Sequence, residues 1–214
     1  MTIRLAILAS GRGSNVQAIL DAIAAGALDA QVVGVFSDKP NAAALTRVPD
    51  RLRWSRKPQQ FVDRAAFDAA LADAVEASAP DWVVCAGYMR ILSAAFIARF
   101  PDRILNIHPS LLPKHKGLHT HQRALDAGDT KHGASVHLVN AELDGGAVLA
   151  QVTVPVLDND NADTLAARVL ACEHPLYVHV LQQIAAGHIH AADGRVWWDG
   201  QRLFTPLPLQ LPSP

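Results

Sequence analysis

Cysteine is almost missing from this sequence. Cys85 and Cys172 are the only two in 214 residues. They are far apart and form no Cys-x-x-Cys, which excludes a disulfide framework and a zinc–thiolate cluster. Cys85 lies in an apolar run and reads as a small core residue. Charge of one sign is missing as well: the formal net charge is −1 and charged residues are spread along the chain. No basic stripe of the kind that grips nucleic acid is present. Long apolar runs are also absent. The first, in MTIRLAILASGRGSN, spans about seven residues and ends in a glycine-rich turn, too short for a signal-peptide core. Nothing approaches the ~18 apolar residues of a membrane span. Neither membrane nor nucleic acid is expected as a partner, and the expected location is the cytoplasm. What is abundant is hydrophobic content, at 50%. At this length roughly 70% of the unfolded surface can be buried without covalent staples.

The apolar runs alternate in type. Ile3 to Ala9 reads as a buried strand and Val16, Ile19, Leu20 and Ile23 fall at helical spacing, with Asn15 as a candidate cap. Gln31 to Phe36 is a second strand, the polar stretch from Asp38 to Gln60 is left without assigned elements, and Ala65 to Ala77 is helical. Asp81 to Ala86 is a strand, followed by a Gly-Tyr-Met-Arg loop and a helix over Ser93 to Phe100; Arg103 to Ile107 is a strand entering a proline-rich loop. Strand–helix alternation predicts an α/β fold with a mostly parallel sheet covered on both faces. In the second half, Ala134 to Val139 and Ala147 to Val156 are strands whose short Glu-Leu-Asp-Gly-Gly connection predicts antiparallel pairing. Thr164 to Ala186 is a long helix capped by Asn161 or Asp163, with Pro175 expected to kink or divide it. Two Asp-Gly pairs between residues 189 and 205 predict hairpins or turns. Residues 1–205 are expected to form a single domain and residues 206–214 a proline-rich tail, extended or frayed.

Three stretches carry chemistry. In Ser10-Gly11-Arg12-Gly13-Ser14-Asn15, a strand-to-helix turn with glycines lets backbone N–H groups approach an anion. A Walker loop is excluded because no Gly-Lys-Ser/Thr follows. The full dinucleotide fingerprint is excluded because Val16 holds the third glycine position. Phosphate binding and a bare tight turn both remain readings of this text. Asn106 and His108 end a strand, where ligands bind in open α/β sheets. Being two apart, their side chains can share one side of the extended backbone and donate hydrogen bonds to a developing oxyanion. The competing reading is a structural histidine satisfied in a turn. Asp144, between two glycine-flanked strands, could orient His108, or belong to an ordinary Asp-Gly turn. His-Thr-His at positions 119–121 offers two imidazoles, but neither a His-Glu-x-x-His nor a cysteine partner accompanies it, so no metal is expected. His137 faces either the site or the core; Trp197 and Trp198 read as cover for a core edge.

The runs LASGRGSNVQAI, AGYMRILS, NIHPSLLPKHKGLHTH, GASVHLV and ELDGG together resemble the phosphoribosylglycinamide formyltransferase family, from Ile3 to about Arg202. The resemblance implies a three-layer Rossmann-like formyltransferase fold and a one-carbon transferase of de novo purine biosynthesis. The amine of glycinamide ribonucleotide would attack the formyl carbon of 10-formyltetrahydrofolate, a cosubstrate, through a tetrahedral intermediate. It implies that Asn106 and His108 meet the formyl oxygen, with Asp144 beside His108 favouring its cation. The substrate would lie on Gly13, Ser14 and Asn15 and near Leu170, Ala171, Cys172 and Glu173. The folate would lie along Met89, Arg90, Ile91 and Leu92 and along Asn140, Ala141, Glu142 and Leu143, with Arg64 near its glutamate tail. The sequence departs from the family in a shortened 41–60 segment and at Lys116, where the family often has proline. Formyltetrahydrofolate deformylase is the nearest rival, but that family carries an additional N-terminal regulatory domain, whereas here the catalytic segment begins at Met1. Methionyl-tRNA formyltransferase would need a C-terminal tRNA-binding domain and more basic charge. A non-catalytic nucleotide-binding module is the rival from a different class.

Overall fold

The computed structural model describes residues 2–209. Its centre is an eight-stranded sheet. The strands are β1 (Ile3–Leu8), β2 (Ala30–Ser37), β3 (Arg53–Ser55), β4 (Trp82–Cys85), β5 (Ile104–His108), β6 (Lys131–Leu138), β7 (Val148–Pro155) and, later in the chain, β11 (Leu207–Pro208). Their order across the sheet is β11-β7-β6-β5-β4-β1-β2-β3. From β3 to β5 every pairing is parallel; β6 runs antiparallel to β5 and β7 antiparallel to β6. The parallel sheet with an antiparallel portion in the C-terminal half is the expected one.

Alternation along the strands builds three layers. Leu5 and Ile7 of β1, Ala9 just after it, Val84 of β4, and Leu105 and Ile107 of β5 share a core with helices α1 (Ser14–Ala24) and α5 (Ala162–Ala185). Ala6, Leu8, Val83, Cys85 and Ile104 point to the other face. There they pack on Phe67, Leu71 and Val75 of α2 (Arg64–Ala77) and Phe96 of α3 (Ala94–Arg99). Successive strand side chains must face opposite ways, so near-continuous apolar runs are what a sheet covered on both sides requires. Asn106 and His108 continue the Ile104 face beyond the end of that second core.

Several expectations change. Helix α1 begins at Ser14 with Gly13 as its left-handed N-cap (φ 73°), so Asn15 is inside the first turn rather than the cap. A side chain on Gly13 would also meet the Ala44 backbone at 2.7 Å. Part of the unassigned 38–60 stretch supplies the edge strand β3. The proline-rich loop expected after Ile107 leads into helix α4 (Thr120–Asp126), and β6 starts at Lys131 rather than Ala134. Pro175 does not divide α5, which runs unbroken for 24 residues. Pro175 is exposed, as is Ala171, whose carbonyl loses its intrahelical donor and can turn to water. The opposite face, from Leu165 to Ile184, is anchored on the sheet and outweighs that loss. The Asp-Gly pairs do make turns. They join β8 (Ile189–Ala192), β9 (Arg195–Trp198) and β10 (Gln201–Arg202) into a small antiparallel sheet. In the tail, Leu207 and Pro208 are extended and pair with Ala150 and Gln151 of β7. The rest of the tail, residues 210–214, lies outside the described residues. No helix among the described residues is long and apolar enough to cross a membrane.

Candidate functional site

The chain order turns back on itself between β1 and β4: β2 and β3 lie to one side, β4 and β5 to the other. A crevice at the carboxyl ends of the strands is the standard ligand position of such sheets. Here it is a cleft of about 680 Å³. Its walls come from the Gly87–Leu92 loop after β4, the segment that follows β5 and the β6–β7 turn, with Asn15 of α1 and Glu173 of α5 at one end.

Most of the residues singled out in the sequence meet there. Asn106, His108 and Asp144 line the cleft together with Asn15 and Glu173. Met89, Arg90, Ile91 and Leu92 form one wall and Asn140, Ala141, Glu142 and Leu143 another. Gly13, Ser14, Leu170, Ala171 and Cys172 lie within three positions of the lining residues Asn15 and Glu173 but do not line the cleft themselves. Arg64 is outside too. It donates to the Ile91 carbonyl from beneath the wall and sits 3.6 Å from Asp68.

His108 is 6% exposed and both ring nitrogens are engaged. Nε2 is 3.0 Å from the His115 carbonyl. A carbonyl only accepts, so Nε2 carries a hydrogen. Nδ1 faces the Asp144 carboxylate at 3.4 Å. Asp144 itself has left-handed backbone (φ 48°), and its Oδ2 accepts the Gly117 N–H at 2.8 Å. The contact between Asp144 and His108, which no local pattern in the sequence shows, is therefore present. Two glycine features hold the carboxylate in place. Gly117 (φ 81°) lets the loop turn its N–H inward, and a Cβ on Gly146 would fall 1.9 Å from the Leu138 carbonyl.

The other end of the cleft is the mouth of the α1 turn. The first N–H groups of a helix have no intrahelical partners; Gln17 is the first to bond, to Gly13 O at 2.9 Å. The Asn15 amide nitrogen donates to Glu173 Oε2 at 3.1 Å, while its buried Oδ1 has no partner among the described residues. Burial pushes the Glu173 carboxyl above its ordinary range, and the Asn15 hydrogen bond offsets part of that. A buried acceptor without a donor beside a carboxylate is a place prepared for a ligand's N–H or O–H.

Supporting residues went unseen in the sequence. Arg47 holds the Arg12 carbonyl through Nε and Nη2, at 3.0 and 2.8 Å, and Gln17 through Nη1, which closes the α1 turn. The Ser10 hydroxyl donates to Asp38 at 2.6 Å and accepts from the Met89 N–H at 3.0 Å, tying the β1 turn to the loop after β4. The Ser135 hydroxyl donates to the Ser110 carbonyl and accepts from Leu112 N–H and the Gln151 amide, which braces the turn after His108. A single Ser or Arg has no pattern of its own; only the fold supplies these partners. The His121 and His132 rings contact at 3.1 Å, and burial is the main cause that pushes His132 down to about 4. Among the described residues no group of three or more His, Cys, Asp or Glu could hold a metal ion.

Residues 3–181 match the family described as Formyl transferase. The phosphoribosylglycinamide formyltransferase of Escherichia coli K12 is 45% identical over 201 residues, which cover 93% of this chain and 95% of that protein. Among solved structures, the enzyme of that name from Coxiella burnetii superposes with a TM-score of 0.92 at 37% identity, covering 98% of this chain and all (100%) of the other. The one from Brucella melitensis gives 0.82 at 48% identity, over 90% of this chain and 100% of its own.

Proposed function

The chain belongs to the formyl transferase family, in its phosphoribosylglycinamide formyltransferase branch of purine biosynthesis, and from that premise we propose how its cleft works. The formyl donor is 10-formyltetrahydrofolate and the acceptor is the amine of glycinamide ribonucleotide. Residues 1–205 act as one formyltransferase unit, working in the cytoplasm on small molecules. The amine nitrogen bonds to the formyl carbon, the carbonyl oxygen gathers negative charge, and the bond from that carbon to the folate nitrogen then breaks. One proton leaves the amine and one arrives at the folate nitrogen.

The observation that carries this reading is the meeting of Asn106, His108 and Asp144 at one point of the cleft. With the Nε2 hydrogen of His108 committed to the His115 carbonyl, a neutral ring offers only a lone pair at Nδ1. Donation to an oxyanion from Nδ1 requires a second ring hydrogen there, and that edge of the ring is the one the Asp144 carboxylate faces at 3.4 Å. The Asn106 amide supplies the second donor, and hydrogen bonds to a developing oxyanion count most away from bulk water. The folate fits the apolar rim. Met89, Ile91, Leu118 and Leu143 are large hydrophobics left 66%, 60%, 69% and 50% exposed around the cleft mouth, a patch suited to a ligand with an aromatic body. At the other end, the α1 turn takes the ribonucleotide phosphate, and Asn15 and Glu173 take its N–H and O–H groups.

The test is an assay of the pure protein with 10-formyltetrahydrofolate, following folate-product absorbance with and without glycinamide ribonucleotide. Product formed only with the nucleotide is the expected result. Formyl loss that ignores the nucleotide would transfer the chain to the deformylase reaction, and nucleotide binding without turnover would make it a binding module.

A further inference from the structure

His137 is a buried titratable side chain that the chemistry above leaves unused. It is 2% exposed and lies directly opposite Asn106 in the antiparallel β5–β6 register. Its Nδ1 is 2.8 Å from the Leu138 carbonyl, so Nδ1 carries a hydrogen. Its Nε2 is 3.1 Å from the Asn106 amide nitrogen and 3.6 Å from Asp144 Oδ1. In a neutral ring with the hydrogen on Nδ1, Nε2 can only accept, and an amide can only donate through its NH₂ end.

We propose that His137 is a positioning residue that fixes the orientation of the Asn106 amide, so that the NH₂ end keeps its second hydrogen for the reacting oxygen. The proposal rests on the formyl-transfer reading of the cleft. Were His137 to carry a second hydrogen, Nε2 would turn from acceptor to donor. The Asn106 amide would then flip its oxygen toward the ring, or the cation would draw Asp144 away from His108. The groups that bear on the ring are Asn106, Asp144, His108 and Lys116; Asp144 and the Leu138 carbonyl favour the cation, His108 and Lys116 oppose it. Burial outweighs the favourable pair and holds the ring neutral.

Two measurements decide it. In the unmodified protein, ¹⁵N shifts of the imidazoles should show His137 with Nδ1 protonated and Nε2 bare across pH 6 to 8. A hydrogen on Nε2 would overturn the proposal, whatever the protein turns over. In kinetics, His137→Leu should lower kcat by about 100-fold, the scale of one lost oxyanion donor, with KM for both substrates within about twofold. His137→Gln, whose Oε1 can accept from Asn106, should recover most of the loss. In an Asn106→Ala background His137→Leu should cost nothing further. A loss there as large as in the parent would mean that His137 acts through packing alone. Failure of the formyl-transfer reading looks different: the unmodified protein then shows no nucleotide-dependent turnover.

Discussion

Asp144 stands between two imidazoles, 3.4 Å from His108 Nδ1 and 3.6 Å from His137 Nε2, and is 9% exposed at its side chain. Asp144→Asn keeps the shape but removes the negative charge 3.4 Å from His108 Nδ1. Turnover is expected to fall by orders of magnitude while glycinamide ribonucleotide binding, measured by calorimetry, stays near that of the parent. Near-parental turnover would sink the role. Gly146 makes a separate prediction: an alanine Cβ there would lie 1.9 Å from a backbone oxygen, so turn or strand must move. Gly146→Ala should cost about 2 kcal/mol, the scale of an overpacked site, and should lower activity by displacing Asp144; urea denaturation reads the first effect. At this scale the sequence was legible in part. Asn106 and His108 stand at a strand end, a position with a physical meaning of its own. Asp144 had no such signal, because its contact with His108 depends on the register of β5, β6 and the turn beyond. Asn15 was assigned to the cap because Asn suits caps, whereas the left-handed Gly13 takes that place and frees Asn15 to reach Glu173.

Elements with long apolar repeats were readable and short ones were not. Helix α4 has seven residues, of which Thr120 and Ala124 are buried, too few to make a periodicity. Strand β3 has three. Helix α5 gave the opposite case: its periodic face was plain, and the proline inside it misled because the sequence does not show that Pro175 faces water. The start of α5 is held by a reciprocal cap. Asn161 accepts from the N–H groups of Asp163 and Thr164, and the Thr164 hydroxyl accepts from the Asn161 N–H. Asn161→Ala should therefore cost about 1 kcal/mol, visible as a lowered Tm. Its middle is tied to the sheet by Tyr177, whose hydroxyl sits 3.1 Å from both the Cys85 and Leu105 carbonyls. The single hydrogen serves one of them at a time. Tyr177→Phe is expected to cost about 1 kcal/mol with KM unchanged, since the ring is on the face away from Asn106.

Across the molecule, the histidines set the response to acid. Burial is the leading cause that lowers the pKa of His121, His132, His137, His174 and His179. The unfolded chain then binds more protons than the folded one between the ordinary histidine value and the depressed one. Stability is full above about pH 6.5 and is lost as pH falls toward the value of about 4 to which His132 is pushed. The urea midpoint should drop between pH 7 and pH 5, and His132→Gln should flatten part of that slope; an unchanged slope would remove His132 from the account. The same scale decides the fate of the sheet's margin. The outermost strand, β11, is two residues long and ends in Pro208, which has no N–H to offer a newcomer. Shortening the chain to Phe204 would bare the Ala150–Gln151 part of the eight-residue β7 that β11 covers. Such a chain should retain its cleft yet scatter light on concentration, as β7 recruits the edges of other molecules: the two-residue strand β11 is a guard against polymerisation.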